Sequence, residues 1–152
     1  MEFRIRRLED KEEIPYDLLL LADPSRELVE AYIQKGQCYL AYRNDEVVGE
    51  FVLVEIAPYA LEIINIAVKE AFRRQGIGKR LMLEAIEEAK KRGAKHVEIG
   101  TGNSSVHPLN LYQSCGFRII GIDKGFFIRN YAEEIYEDGI QCTDMIRLRL
   151  DL

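Results

Sequence analysis

The spacing of apolar and polar residues along the chain predicts seven β-strands. Apolar residues alternate with polar ones, or form short runs bounded by turn residues, as they do in strands. Turns at Asn44-Asp45 and Pro58-Tyr59 join three successive strands into an antiparallel meander, and Gly49 indicates a bulge. The predicted strands cover residues 2–7, 37–43, 46–57, 60–68, 96–100, 117–128 and about 140–150.

Apolar residues at helical spacing predict four helices. Residues 12–35 form two of them, because Pro24 interrupts the pattern. A third helix runs from about Ile77 to Arg92, and a short fourth begins near Pro108. Because the third helix crosses between two strands, those strands are predicted to be parallel. We therefore predict one α+β domain over residues 1–152, with about seven strands in a mixed, mostly antiparallel sheet and about four flanking helices.

A strand, a glycine turn and a helix follow one another over residues 63–93. Gly76 and Gly78 lack a Cβ, so a ligand can approach the backbone closely. The first amides of a helix have no partner inside it, carry a partial positive charge and bind phosphates. Basic residues on either side add to this charge. The stretch therefore predicts a pyrophosphate cradle.

This turn departs from two common phosphate-binding motifs. A P-loop would have a serine or threonine after Gly78-Lys79, where this chain has Arg80. A dinucleotide fingerprint would have a third glycine at Leu81, although an acidic residue, Glu98, does stand twenty residues after Gly78. The dinucleotide interpretation is weakened but stays open. A second alternative also stays open, in which the glycines of this turn only shape the backbone.

The segment Arg73-Arg74-Gln75-Gly76-Ile77-Gly78, after the strand Ile66-Ala67-Val68, resembles the acetyl-CoA motif of the GNAT superfamily of N-acetyltransferases. The resemblance covers roughly residues 46–150. It implies a GNAT-like sheet and an enzyme that uses acetyl-CoA as co-substrate, without a metal. The residues that it assigns to acetyl-CoA are Ile66, Ala67, Val68, Arg73, Arg74, Gln75, Gly76, Ile77, Gly78, Lys79 and, on the pantetheine arm, Asn103.

Tyr112 is the candidate general acid. It lies in Leu111-Tyr112-Gln113-Ser114-Cys115-Gly116-Phe117, which resembles the Leu-Tyr-x-x-x-Gly-Phe segment in which GNAT enzymes use the tyrosine to protonate the sulfur of CoA. A phenol is protonated at neutral pH and can give its proton to a thiolate. The alternative is a tyrosine buried for packing on one face of a short helix.

Two glutamates are candidates for the general base, and the sequence does not choose between them. Glu62 begins a strand segment at which several GNAT enzymes carry a base. The two-residue period of a strand puts it on one face with Ile64, Ile66 and Val68, although an exposed position at the strand start is an equal alternative. Glu98 stands five residues before Asn103, as in the corresponding segment of ribosomal-protein N-acetyltransferases, which the chain also resembles.

Composition narrows the classes of partner. The net charge of −5 argues against nucleic acid and mildly favours cationic partners. The three cysteines and two histidines have no zinc-binding spacing, so we predict no metal site and reduced thiols. No apolar run reaches the length of a membrane span, and the N-terminus lacks a signal-peptide pattern. These features predict a cytoplasmic protein without a membrane or nucleic-acid partner.

The predicted activity is acetyl-CoA-dependent transfer of an acetyl group to a primary amine. The acceptor would be a small-molecule amine or a peptide N-terminus, and the acidic, aromatic loop 129–141 suits a polycation. A homodimer stays open. Two other classes are weighed against this one: a catalytically inactive acyl-CoA-binding regulatory domain, and a nucleotide-dependent oxidoreductase. The second is disfavoured by Leu81 and by a chain too short for two mononucleotide halves.

Overall fold

The computed structural model describes residues 3–152, so Glu2, at the start of the first predicted strand, lies outside the described residues. The elements follow one another as an α+β chain with a 3₁₀ turn (Glu70–Phe72) before its longest helix. In chain order they are β1 (Phe3–Arg7), α1 (Tyr16–Ala22), α2 (Arg26–Ile33), β2 (Gln37–Arg43), β3 (Glu46–Ala57), β4 (Ala60–Val68), α3 (Ile77–Lys91), β5 (His96–Gly102), α4 (Val106–Ser114), β6 (Arg118–Asp123), α5 (Phe126–Asn130), β7 (Ile135–Glu137), β8 (Ile140–Cys142) and β9 (Met145–Asp151).

Seven of these strands form one mixed sheet in the order β1-β2-β3-β4-β5-β9-β6. Neighbouring strands are antiparallel except β4 and β5, which run parallel because α3 crosses between them. The predicted α+β class, the antiparallel meander and the single parallel step are confirmed. The helices number five in the described chain, one more than the four expected.

Each face of the sheet has its own core. On one face, α3 buries Leu81 and Met82 against residues of the central strands such as Phe51. On the other face, α1 and α2 bury Leu19 and Val29. Truncating a leucine at such a site to alanine costs about 2–5 kcal/mol of stability. The two cores therefore hold the central strands rigidly from both sides.

Gly49 allows β3, β4 and α3 to approach closely. A Cβ at this position would lie 2.9 Å from the carbonyl oxygen of Ala67 and 3.0 Å from Cδ1 of Leu81. The register between β2 and β3 also shifts here, since Ala41 pairs with Gly49 but Tyr42 pairs with Val47. The predicted bulge is confirmed.

The C-terminal third differs from the prediction in two places. The strand predicted over residues 117–128 ends at Asp123, because Gly125 takes a left-handed conformation with φ of 74° and begins α5. The segment predicted as a long loop contains β7, which forms a separate hairpin with β8. The strand predicted over about 140–150 is therefore divided into β8 and β9.

Candidate active site

The parallel strands β4 and β5 separate part-way along their length. They pair only as far as Ile63 and Ile99, although β4 continues to Val68 and β5 to Gly102. Within residues 3–152, no backbone hydrogen bond joins residues 64–68 to β5. The sheet therefore contains an open cleft, and unpaired backbone groups along β4 face it. Such groups can hold an extended ligand by hydrogen bonds.

The N-terminus of α3 lies at the end of this cleft. A Cβ placed on Gly78 would lie 4.0 Å from Cγ2 of Val68, the last residue of β4, and 3.5 Å from Cδ2 of Leu111 in α4. The end of β4, the first turn of α3 and α4 therefore meet around one point. The residues predicted to bind acetyl-CoA on β4 and in the turn before α3 are brought together here.

The first turn of α3 carries an uncompensated positive end. Gly76 caps the helix with φ of 79°, no side chain accepts a hydrogen bond from its first amides, and its first turn contains no acidic residue. Within the described residues, no heavy atom outside the adjacent chain lies within 4 Å of a Cβ placed on Gly76. An open, uncapped helix N-terminus suits an anion. The turn therefore fits the pyrophosphate of CoA, whose individual contacts remain a prediction.

The basic and polar side chains of the turn are partly engaged with the protein. Arg73 donates from Nε to the carbonyl oxygen of Val68 at 3.3 Å. Gln75 accepts a hydrogen bond from Arg43 of β2. Arg74 has a positive φ of 64°, which is uncommon for a residue with a side chain and holds the turn in a defined shape. The loop is thereby fixed before a ligand arrives.

A bulge in β4 changes the face on which its side chains lie. Ile64 is the extra residue at a register shift between β3 and β4. Ile66 and Val68 therefore pack on the side of α3, whereas Glu62, opposite Val54, lies on the side of α1 and α2. The prediction that Glu62 shares a face with Ile64, Ile66 and Val68 holds for Ile64 and is wrong for Ile66 and Val68, because the bulge inverts the alternation between them.

The two candidate bases lie side by side and share one arginine. Glu62 and Glu98 are directly opposite each other in the parallel pair of strands. Nη1 of Arg147 lies 3.2 Å from Oε2 of Glu62, and Nη2 lies 3.1 Å from Oε1 of Glu98. Burial opposes the charge of Arg147, but the two carboxylates outweigh it, so the pKa of this guanidinium is raised. The role of Arg147 was not predicted from the sequence. Its only signal was the alternating basic pattern Arg147, Arg149 in the last strand.

The remaining oxygens of the two glutamates differ. Oε2 of Glu98 lies 3.5 Å from Nε2 of His96, two residues earlier on β5. Oε1 of Glu62 has no hydrogen-bond or ion-pair partner among residues 3–152. Glu62 therefore has one carboxylate oxygen open to a substrate or a water molecule.

Tyr112 lies on the opposite face of the sheet from these glutamates. It is buried in the core on the side of α3, in the same cluster as Ile63 and Ile99, the last pair before the strands separate. Burial raises the pKa of its hydroxyl to about 12. In the described chain, the hydroxyl makes no hydrogen bond to another residue. Tyr112 is thus a protonated phenol in the core on the α3 side of the sheet.

Asn103 holds the end of β5 to the segment before β9. Its Oδ1 accepts hydrogen bonds from the backbone amides of Thr143, at 2.8 Å, and Asp144, at 3.0 Å. Its Nδ2 donates to the carbonyl oxygen of Gln141 at 3.1 Å. These bonds occupy the amide oxygen, so the side chain has a positioning role within the fold. Its predicted contact with pantetheine stays a prediction that rests on the remaining N–H.

A chain of hydrogen bonds crosses the α1–α2 side of the sheet. The hydroxyls of Tyr131 and Tyr32 donate to the two oxygens of Asp23, at 2.8 and 3.0 Å. Asn65 of β4 donates to the Tyr32 hydroxyl at 2.8 Å and to the carbonyl oxygen of Leu19 at 3.0 Å. The segment after α5 is thereby fixed over the α1–α2 connection. This role of Asp23 was not predicted from the sequence.

Two further properties of the described residues bear on the class of site. Among residues 3–152 there is no group of three His, Cys, Asp or Glu side chains that could hold a metal ion. None of the helices in that range has the length and apolar content needed to cross a membrane.

Comparison with known proteins agrees with this geometry. The model of the acetyltransferase (GNAT) family matches residues 4–117. An uncharacterized N-acetyltransferase, YvbK of Bacillus subtilis, is 56% identical over 151 residues, which cover 99% of this chain and 97% of that protein. A GNAT family acetyltransferase of Elizabethkingia anophelis, solved with acetyl-CoA bound, has a TM-score of 0.97 at 50% identity and covers 99% of this chain and 98% of its own.

A third relative has a solved structure with CoA. It is an acetyltransferase of Bacillus subtilis that has a TM-score of 0.94 at 56% identity, with 99% of each chain covered. The family model matches more than half of the chain, and relatives at this identity match nearly its whole length. The predicted acetyl-CoA-dependent acetyltransferase class is confirmed, and the chain belongs to the GNAT family of acetyltransferases.

Proposed function

We propose that this chain transfers an acetyl group directly from acetyl-CoA to a primary amine. The observation that carries the proposal is that Tyr112, the candidate acid, and the two glutamates, the candidate bases, lie on opposite faces of the sheet. Tyr112 lies in the core on the α3 side of the sheet, in one cluster with Ile63 and Ile99, and Glu62 and Glu98 stand one residue earlier on the other face. An acetyl group in the cleft between the strands would have a proton acceptor on one side and a proton donor on the other.

The reaction balances with the groups present. A glutamate takes a proton from the acceptor ammonium, directly or through a water molecule, and the freed nitrogen lone pair attacks the thioester carbonyl carbon. Unpaired backbone amides along β4 can donate to the oxyanion that forms. The C–N bond is then complete, the nitrogen gives up its second proton to water, the C–S bond breaks, and the thiolate takes the proton of Tyr112. The products are an acetamide and CoA, and the tyrosine recovers its proton from solvent.

Glu62 is the preferred base in this proposal. It has a carboxylate oxygen without a partner in the described chain, whereas both oxygens of Glu98 lie near basic groups, Arg147 and His96. A base needs a lone pair within hydrogen-bond reach of the proton that it removes. Glu98 then acts as a neighbour that adds negative charge near the incoming ammonium.

The acceptor class follows from the charges on the same face. A protonated amine would approach two carboxylates that share one guanidinium, so the three groups carry a combined charge of −1. The overall net charge of −5 favours the same class of partner. We therefore expect a cationic primary amine, carried by a small molecule or a peptide N-terminus.

A screen of acceptors tests the proposal. Purified protein is incubated with acetyl-CoA and, in turn, simple amines, polyamines, aminoglycosides and peptides with free N-termini, and thiol release is recorded. We expect amine-dependent release of CoA, with the acetylated acceptor visible by mass spectrometry. CoA binding without thiol release above background for every class would contradict the proposal and favour a CoA-binding regulatory domain.

A further inference from the structure

Two carboxylates stand directly opposite each other on neighbouring strands. The side chains of Glu62 and Glu98 are only 15% and 19% exposed, so water screens their repulsion incompletely. Like charges in directly opposite positions destabilise a sheet. Two carboxylates that share a site without a cation normally hold a proton between them. A carboxylate that works as a base near neutrality has to be without that proton.

Arg147 supplies the missing cation from the next strand. It projects from β9 across β5 and places one nitrogen 3.2 Å from Glu62 and the other 3.1 Å from Glu98. The path runs over Gly100, since a Cβ there would lie 3.0 Å from Nη1 of Arg147 and 2.5 Å from Sδ of Met145. Glycine at this position leaves room for one guanidinium to reach both carboxylates.

Among the described residues, no other basic group bridges the two glutamates. Arg149 is opposite Glu98 in register, but its Nε donates to Asp151 at 2.8 Å. Arg118 of β6 is opposite Arg149. His96 lies 3.5 Å from the second oxygen of Glu98. On β3, the residue opposite Glu62 is the uncharged Val54.

We propose that Arg147 is a positioning residue of the acetyl transfer, which keeps Glu62 and Glu98 ionised side by side so that one carboxylate is free to accept the proton of the acceptor ammonium. The inference rests on the proposed function for its role in turnover. The contact of one guanidinium with both carboxylates is itself a property of the folded chain. It can therefore be measured without any acceptor.

The first experiment follows the two carboxyl groups by ¹³C NMR as pH is changed, in the wild type and in Arg147→Gln. We expect the variant to move one of the two titration midpoints to higher pH by about one unit or more. Arg149→Gln is the matched control, because it removes the same charge from the same strand face without breaking a contact to either glutamate. Its two midpoints should stay where they are in the wild type.

The second experiment compares pH–rate profiles with an active acceptor. In Arg147→Gln the acidic limb of the kcat profile should move to higher pH by the same interval of about one unit. On that limb kcat should therefore fall about tenfold, and it should recover at alkaline pH. A residue that only supports the fold would lower kcat at every pH. Arg147→Lys, which keeps the charge, should restore the position of the limb, and it also serves if Arg147→Gln does not fold.

The outcomes separate this inference from the proposed function. Unmoved carboxyl midpoints in a folded Arg147→Gln variant would overturn the role of Arg147, whether or not the enzyme acetylates amines. An equal loss of kcat at all pH values, in either variant at position 147, would overturn it as well. A shifted midpoint in a protein that releases no CoA with any amine would instead contradict the proposed function alone.

Discussion

The buried carboxyl group of Glu50 has a measurable consequence for stability. Glu50 lies on β3 with no exposed surface, and neither of its oxygens has a hydrogen-bond partner among the described residues. Oδ1 of Asn65 is a third buried oxygen in the same condition. Burial without a cation raises the pKa of Glu50 well above its ordinary value. We therefore expect Glu50 to keep its proton in the native protein at pH values at which the unfolded chain has lost it.

The sign and the size of the effect follow from proton linkage. The unfolded chain loses the proton of Glu50 near pH 4.3, whereas the native chain keeps it to higher pH. Native stability is therefore full below the unfolded pKa and falls as pH rises toward the native pKa. Each pH unit in this window costs up to about 1.4 kcal/mol, which is the effect of one proton. Glu50→Gln removes the titration and keeps the shape of the side chain.

Urea unfolding at pH 5, 6, 7 and 8 measures this difference. We expect the stability of Glu50→Gln relative to the wild type to rise with pH at close to that slope, and then to level off above the native pKa of Glu50. Glu55→Gln is the matched control on the same strand, since Glu55 is exposed. A stability difference for Glu50→Gln that is constant from pH 5 to 8 would refute the neutral, buried carboxyl group.

Two further predictions concern the site itself. Gly78→Val should raise the KM for acetyl-CoA at least tenfold in a folded protein, because its branched side chain enters the space beside Leu111. Gly78→Ala is the control, because its Cβ makes ordinary contacts. Unchanged CoA affinity in Gly78→Val would contradict the predicted pyrophosphate cradle. Glu62→Gln should lower kcat by about 10²–10⁴, and Glu98→Gln should lower it less. The reverse order would assign the base to Glu98, and two mild effects would mean that solvent takes the proton.

The sequence was sufficient for the features that depend on local patterns. The turn at Asn44-Asp45, the break at Pro24 and the strand-turn-helix around Gly76 are each encoded by a few adjacent residues, and the structure has all three. The parallel step between β4 and β5 followed from one helix between two strands. Local signals of this kind predict the structure correctly because tertiary packing favours the same local structure.

Features that depend on register could not be predicted from the chain alone. The bulge at Ile64 inverts the face of the later β4 residues, and an apolar run such as Ile63-Ile64-Asn65-Ile66 has no signal that places it. The contact of Arg147 with both glutamates requires β9 to insert next to β5. Arg147 stands 49 positions after Glu98 in the sequence. The hairpin of β7 and β8 was not predicted, because the acidic composition of that segment is typical of a loop.

The turnover of Tyr112→Phe tests the central claim most directly. Phenylalanine keeps the ring in the core and removes only the hydroxyl, which is protonated at neutral pH because burial raises its pKa to about 12. Tyr39→Phe, in the same core, controls for the loss of a buried tyrosine hydroxyl. With an active amine, we expect kcat of Tyr112→Phe to fall about 10²-fold with little change in either KM, and to recover in part with a thioester whose leaving thiol is more acidic. A folded Tyr112→Phe protein with wild-type kcat, where chemistry limits the rate, would contradict the account.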